Sequence, residues 1–265
     1  GIVFQSSVKR TYPNSVFASH LLGFAQYDEK KGKISGQIGL EAALDEQLSG
    51  TDGSKEYQKD ADGNALPGTE YTKAYAKNGD NVVLTLDRNV QQTLQSSLDK
   101  SVKKTYGGVR GWGIVMEVKT GKILGWASSP SFDLNSRDDI KSFQDLPADF
   151  LYEPGSVMKG ITYAAVDSGH YPYNKTFNSG IFHFLEDAKG NIIRTSSGNL
   201  YIQDAQGSDH GTISFDKGFV LSSNIGICEL LASYMKPDIY KDYLQKFVFL
   251  KSVDTPYLSN EPGEM

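Results

Sequence analysis

Only one cysteine, Cys228, occurs in the chain, so no disulfide can form within it and a cysteine-based metal site lacks the ligands it would need. Cys228 lies in the apolar run Ile225-Gly226-Ile227-Cys228-Glu229-Leu230-Leu231 and reads as a small buried hydrophobe. Long apolar runs are also missing, since no stretch of about 18 apolar residues is present to cross a membrane as a helix. The chain starts at Gly1 with neither an initiator Met nor a signal peptide, so any membrane anchor is expected upstream of these residues. Nor is charge of one sign concentrated: 27 Lys and Arg stand against 32 Asp and Glu, dispersed, for a net charge of -5. That balance argues against nucleic-acid binding. The 4 histidines, His20, His170, His183 and His210, show no metal-ligand spacing and no motif context for a Ser-His-Asp triad. They read as surface or loop residues.

What is present is an ordinary globular composition, 38% hydrophobic and 22% charged over 265 residues, long enough for one large domain or two smaller ones. The first eighty or so residues are rich in Gly, Asp, Lys, Ser and Tyr, with turn signals at Gly50-Thr51-Asp52-Gly53, Asp62-Gly63-Asn64 and Pro67-Gly68. Short strands and loops are expected there. Asp60-Ala61-Asp62-Gly63-Asn64 has its Gly too early for a calcium loop and no closing Glu, and reads as a turn. From Gly79-Asp80-Asn81 the texture changes. Val82 to Leu86 predicts a short strand, and Asp87 a helix N-cap. Val90, Leu94, Leu98 and Val102 recur every fourth residue as the stripe of a helix ending near Tyr106. Two apolar runs around Lys119-Thr120-Gly121 predict a β-hairpin.

The chemistry concentrates in Tyr152-Glu153-Pro154-Gly155-Ser156-Val157-Met158-Lys159-Gly160. Pro154 and Gly155 suit a turn entering a helix that runs on to Val166, and Ser156 and Lys159 then share a face one turn apart. A Ser hydroxyl is a weak nucleophile unless a neighbour takes its proton, which a desolvated Lys of lowered pKa can do. The helix N-terminus favours the negative charge of a tetrahedral intermediate. Ser-x-x-Lys alone is common by chance, but Val220-Leu221-Ser222-Ser223-Asn224-Ile225-Gly226 follows, with Ser222 and Asn224 in Ser-x-Asn spacing.

The two motifs in this order, with Tyr-Glu-Pro-Gly ahead of the Ser, resemble the penicillin-binding proteins, in particular class B, division-type members of the 2X kind. The resemblance extends over Arg10-Thr11-Tyr12-Pro13, Gly39-Leu40-Glu41, Leu48-Ser49-Gly50-Thr51-Asp52-Gly53, Asp80 to Asp87 and Asp216-Lys217-Gly218-Phe219. It implies an α+β, multi-domain fold. A β-rich pedestal and dimerisation region over 1–79 would precede, at 80–265, the first part of a β-lactamase-like transpeptidase domain with helices packed on an antiparallel sheet. It implies a D,D-transpeptidase in which Ser156 attacks the penultimate D-alanine of a peptidoglycan stem peptide and Lys159 accepts its proton. Ser222 would relay protons to the leaving amine, and Asn224 would hold Lys159 and the substrate amide. Ser156, Ser222 and Asn224 would thus also bind substrate. β-Lactams would acylate Ser156. No cofactor and no metal are implied. The implied partners are divisome membrane proteins and further copies of the chain, on the wall-facing side of the membrane.

Lys119-Thr120-Gly121 spells the family's third motif but precedes Ser156 and falls in a hairpin turn, whereas the family's catalytic copy lies on a strand after Ser-x-Asn. Nothing after Asn224 matches it, so Met265 is expected to be a truncation point and the chain by itself inactive. The rival readings are a β-lactam hydrolase or sensor of the same fold, and a non-catalytic cell-wall scaffold.

Overall fold

The computed structural model describes residues 8–105, 107–136, 138, 140–188 and 192–253. They divide into two compact units, one ending at Phe150 and the other running from Leu151 to Val253.

The first unit begins with helix α1 (Ser19–Leu22), then the antiparallel hairpin β1 (Ala25–Asp28) and β2 (Lys33–Gly36), helices α2 (Gly39–Ala43) and α3 (Asp45–Leu48), and the ribbon β3 (Ser54–Glu56) with β4 (Tyr71–Ala74). The strands match the sequence reading. The three short helices are additional, because elements of four or five residues are too short to show a 3.6-residue period. Asp28 turns the first hairpin by accepting the N–H groups of Lys30 and Lys31 on Oδ1, at 2.9 and 3.2 Å. Asp60 does the same for Asp62 and Asn64, at 3.0 and 2.8 Å, making the turn that the sequence indicates.

Long-range bonds knit this region to residues beyond 130. Arg10 Nε donates to Glu41 Oε1 at 2.8 Å, and the Tyr12 hydroxyl accepts the Ala25 N–H at 2.7 Å. The Asn135 side chain brackets Tyr12, accepting its N–H at 2.9 Å and donating to its carbonyl at 2.8 Å. Phe24, Phe132 and Leu134 form a small core beside them. His20, read from sequence as a surface or loop residue, is instead buried in α1 with its ring edge-on to Phe132 at 4.8 Å, and burial lowers its pKa.

Residues 82–86, expected as a strand, join no ladder. Thr85 Oγ1 donates to the Ile123 carbonyl at 2.7 Å and the Asp87 N–H to that of Leu124 at 2.9 Å, two bonds rather than a register. Asp87 is the N-cap of α4 (Arg88–Lys104), accepting the N–H groups of Asn89 and Val90 on Oδ1, both at 2.9 Å. The predicted hairpin is β5 (Gly111–Met116) with β6 (Ile123–Ser129). The stripe of α4 lies on its glycines: a Cβ on Gly111 would meet Val102 at 2.9 Å, one on Gly113 would meet Leu94 at 3.0 Å, and one on Gly125 would meet Leu94 at 3.1 Å. Beside that stripe two glutamines are buried. Gln91, 0% exposed, accepts the Trp126 N–H at 2.7 Å and donates to the Trp126 carbonyl at 2.9 Å, pairing the open edge of β6 as a strand would. Gln95 donates to Ser128 O at 3.1 Å. Lys119-Thr120-Gly121 forms the turn, closed by Gly121 N–H to Glu117 O at 2.8 Å, with Gly121 at φ 74°.

Asp145 precedes helix α5 (Leu146–Asp149) and accepts the Trp126 indole N–H, each of its oxygens at 2.9 Å. Its burial pushes the carboxyl up to about 6, aided by the charge of Asp149 and opposed by the bonds from Trp126 and Ser128. An acid raised from 3.8 to about 6 is disfavoured in its ionised form, at about 1.4 kcal/mol per pH unit. Its contribution is therefore complete below about pH 4 and lost as pH rises through about 6. The expected result is that Asp145→Asn gains stability relative to wild type between pH 4 and 7, by up to about 3 kcal/mol. Thermal melts of both proteins across that range check it, and a pH-independent difference would contradict the assignment.

In the second unit a 3-10 turn (Gly155–Val157) leads into α6 (Met158–Asp167). Strands β7 (Thr176–Asn178), β8 (Ile181–Glu186), β9 (Ile192–Thr195), β10 (Tyr201–Gln203) and β11 (Thr212–Ser214) follow, then helices α7 (Phe215–Val220), α8 (Asn224–Ser233) and α9 (Pro237–Lys246). The antiparallel sheets run β10-β8-β9 and β11-β7. Ala165, Val166, Phe177, Phe182, Phe215, Ile225, Leu230 and Met235 form the core. The Phe177 ring fits between α7 and α8 because both are glycine there: a Cβ on Gly218 would meet it at 2.8 Å and one on Gly226 at 3.0 Å. That wedge fixes the junction of the two helices, which carries Ser222 and Asn224.

Candidate active site

Gly155, at φ 59°, makes the entry that the Pro-Gly pair predicts. Ser156 follows in the 3-10 turn, so the helix expected to start at Ser156 has a tighter first turn. Ser156 is exposed and its hydroxyl makes no hydrogen bond among the described residues. Lys159, half-buried in α6, stands three residues on.

The structure gathers Lys159, Ser222 and Asn224. Lys159 Nζ donates to the Ser222 carbonyl, to Ser222 Oγ at 3.1 Å and to Asn224 Oδ1 at 2.7 Å. Three acceptors match the three N–H donors of an ammonium. Burial pushes the Lys159 pKa down, and the charge of Asp204 partly opposes this.

The acceptors are placed by the way α7 ends. The Ser223 N–H bonds Gly218 O at 2.8 Å and the Ser222 N–H bonds Phe219 O at 3.0 Å, the pairing of a Schellman C-cap with Ser222 as its left-handed residue at φ 56°. Glycine is the usual occupant, and a non-glycine residue there is disfavoured by about 1 kcal/mol. Glycine would relieve that strain but remove the hydroxyl that meets Lys159. Ser223 at once becomes the N-cap of α8, its Oγ accepting the Gly226 N–H at 3.0 Å. Asn224 opens α8, and its Nδ2 donates to Gln203 O at 3.0 Å, which turns Oδ1 toward the lysine.

Two participants carry no sequence signal. Ser223, the middle residue of Ser-x-Asn, is buried and serves the backbone. Asp204, just after β10, is also buried, and its Oδ1 accepts from Ser223 Oγ at 3.0 Å, Asn224 N at 2.5 Å and Ile225 N at 3.1 Å. Only a contact across some twenty residues singles it out; no spacing rule links it to the motif.

The family model of the penicillin binding protein transpeptidase domain matches residues 111–263, and that of the penicillin-binding protein dimerisation domain matches residues 1–84. The chain belongs to the penicillin-binding proteins and carries these two domains in that order. Within the family it is of class B. It is 31% identical over 262 residues to the stage V sporulation protein D of Bacillus subtilis, covering 94% of this chain and 36% of that protein. It is 32% identical over 181 residues to the probable peptidoglycan D,D-transpeptidase PenA of Neisseria meningitidis, covering 67% of this chain and 30% of PenA. Among solved structures, penicillin binding protein 2X of Streptococcus thermophilus aligns with a TM-score of 0.74 at 29% identity, covering 96% of this chain and 37% of that one. The chain thus spans about a third of the length of these relatives.

Proposed function

We propose that the full-length protein is a peptidoglycan D,D-transpeptidase with Ser156 as its acyl acceptor. The observation that carries this reading is the ammonium of Lys159, one turn from an exposed Ser156 and held at once by Ser222 and Asn224. In the forward step Ser156 Oγ bonds the penultimate D-alanine carbonyl carbon while its proton passes to neutral Lys159. The peptide bond then breaks, and the terminal D-alanine leaves with a proton delivered through Ser222. An amine of a neighbouring stem peptide next takes the acyl group, loses its proton to the same relay and restores Ser156. Of the three groups around Lys159 Nζ, two are carbonyl oxygens that can only accept, whereas the Ser222 hydroxyl can also donate. It alone can meet the lone pair when the lysine is neutral, which supports the relay role. Ser156, Ser222 and Asn224 also form the substrate-facing set.

A β-lactam follows the first step only: its ring C–N bond opens onto Ser156 and the ester persists. Peptidoglycan stem peptides and β-lactams are therefore the ligands of this reading. Divisome membrane proteins are its partners, and the wall-facing side of the membrane, with an anchor upstream, is its location. We place the module boundary between residues 79 and 80, a pedestal over 1–79 preceding the transpeptidase part over 80–265. The separate family matches over 1–84 and 111–263 support that order, and the first of them supports self-association through the pedestal.

The test is incubation of the full-length protein with a fluorescent penicillin. A stoichiometric adduct lasting many minutes is expected. Rapid release of hydrolysed penicillin would favour a hydrolase, and absence of any adduct a non-catalytic scaffold.

A further inference from the structure

We propose that Asp204 is a positioning residue for this acyl transfer: the carboxylate that follows β10 sets where Asn224 and Ser222 meet the ammonium of Lys159. The inference rests on the reading of Ser156 and Lys159 given above. An α-helix opens with N–H groups that have no partner within it. In α8 the Ser223 hydroxyl takes only one of them, that of Gly226. Asp204 Oδ1 takes the N–H groups of Asn224 and Ile225 and also the hydroxyl hydrogen of Ser223, so one oxygen from another element caps the helix and orients its cap residue.

Gln203, the residue before it, receives the Asn224 side-chain N–H. The end of β10 therefore grips Asn224 by main chain and side chain together, which leaves Asn224 Oδ1 one direction, toward Lys159. Ser222 is bonded through its neighbour Ser223 to the same oxygen. At 5% exposure, with Oδ2 buried and unpartnered among the described residues, Asp204 holds a charge out of water with one oxygen saturated and the other idle. Such an arrangement is unfavourable for stability alone, since an uncharged acceptor would satisfy the same donors.

The charge has a second consequence. Asp204 raises the pKa of Lys159 against the larger lowering from burial, and Cys228 is the other titratable group that acts on this lysine. Glu229, next to Cys228, pairs with Arg194. Acylation needs neutral Lys159, so its rate climbs with pH through the lysine's titration. Removing the negative charge lowers that pKa and moves the climb to lower pH.

Asp204→Asn and Asp204→Ala in the full-length protein test the proposal, read by the second-order rate of acylation by fluorescent penicillin from pH 5 to 10, with thermal melts alongside. Asn keeps an oxygen for the three donors while it removes the charge and alters the idle position. The expected result is a plateau rate, above the limb, about 10-fold lower for Asn with the acid limb displaced to lower pH, and about 100-fold lower for Ala, the scale of a small misplacement of reacting groups. Either variant acylating at the wild-type rate with an unmoved limb overturns the proposal, as does a loss in Asn that is uniform with pH. Should Ala fail to fold, Asn alone decides. Failure of the underlying reading would appear separately, as a wild-type protein that forms no adduct.

Discussion

Lys159→Met will lower acylation of the full-length protein by fluorescent penicillin about 100- to 10,000-fold, the range that a positioned proton acceptor contributes. A free serine hydroxyl holds its proton at neutral pH, and the Ser156 hydroxyl has no hydrogen-bond partner among the described residues. The lysine amine, pushed down in pKa by burial, is the group one turn away that can take that proton. Met keeps the length and apolar stem of the side chain while deleting the nitrogen. The fold should tolerate it: the lost bonds lead to the exposed Ser222 and the half-buried Asn224, which water can serve. A loss of about 1–3 kcal/mol is expected, a melting shift of a few degrees. Near-normal acylation by Lys159→Met would show that another group takes the proton.

Legibility in the sequence followed the range of the interactions. The hairpin of β5 and β6, the Asp87 cap and the stripe of α4 rest on contacts between near neighbours, and pattern and capping chemistry identify them. The turn at Lys119-Thr120-Gly121 belongs to the same group, and so does the spacing of Ser156 to Lys159. Residues 82–86 mislead for the complementary reason: an apolar run has the composition of a strand whether or not a partner edge is free, and here Thr85 and the following Asp87 make one bond each, to residues 123 and 124, with no ladder among the described residues. Gln91 and Asp204 are invisible beforehand because a polar residue reads as exposed until the backbone group that it satisfies is known. In the candidate site, Ser222 and Asn224 are found by spacing, whereas the left-handed turn at Ser222 and the double role of Ser223 emerge only when α7 and α8 are seen to meet around Phe177.

Covalent labelling will fall on Ser156 and spare Ser222. Both are exposed serines, so composition and exposure do not separate them; geometry does. The Ser222 hydroxyl is engaged by Lys159 at 3.1 Å and sits on a strained left-handed residue that closes α7. The Ser156 hydroxyl is free among the described residues and precedes a helix of ten residues, whose first N–H groups favour the oxyanion. Removal of a nucleophile abolishes the covalent step, whereas removal of a relay slows it. Ser156→Ala should therefore give no adduct under any exposure, and Ser222→Ala a slowly formed one. The measurement that bears most directly on the account is peptide mapping of the full-length protein after reaction with penicillin. The account predicts the added mass on the peptide containing Ser156 and none on the peptide containing Ser222; the added mass on Ser222, or on neither, would contradict it.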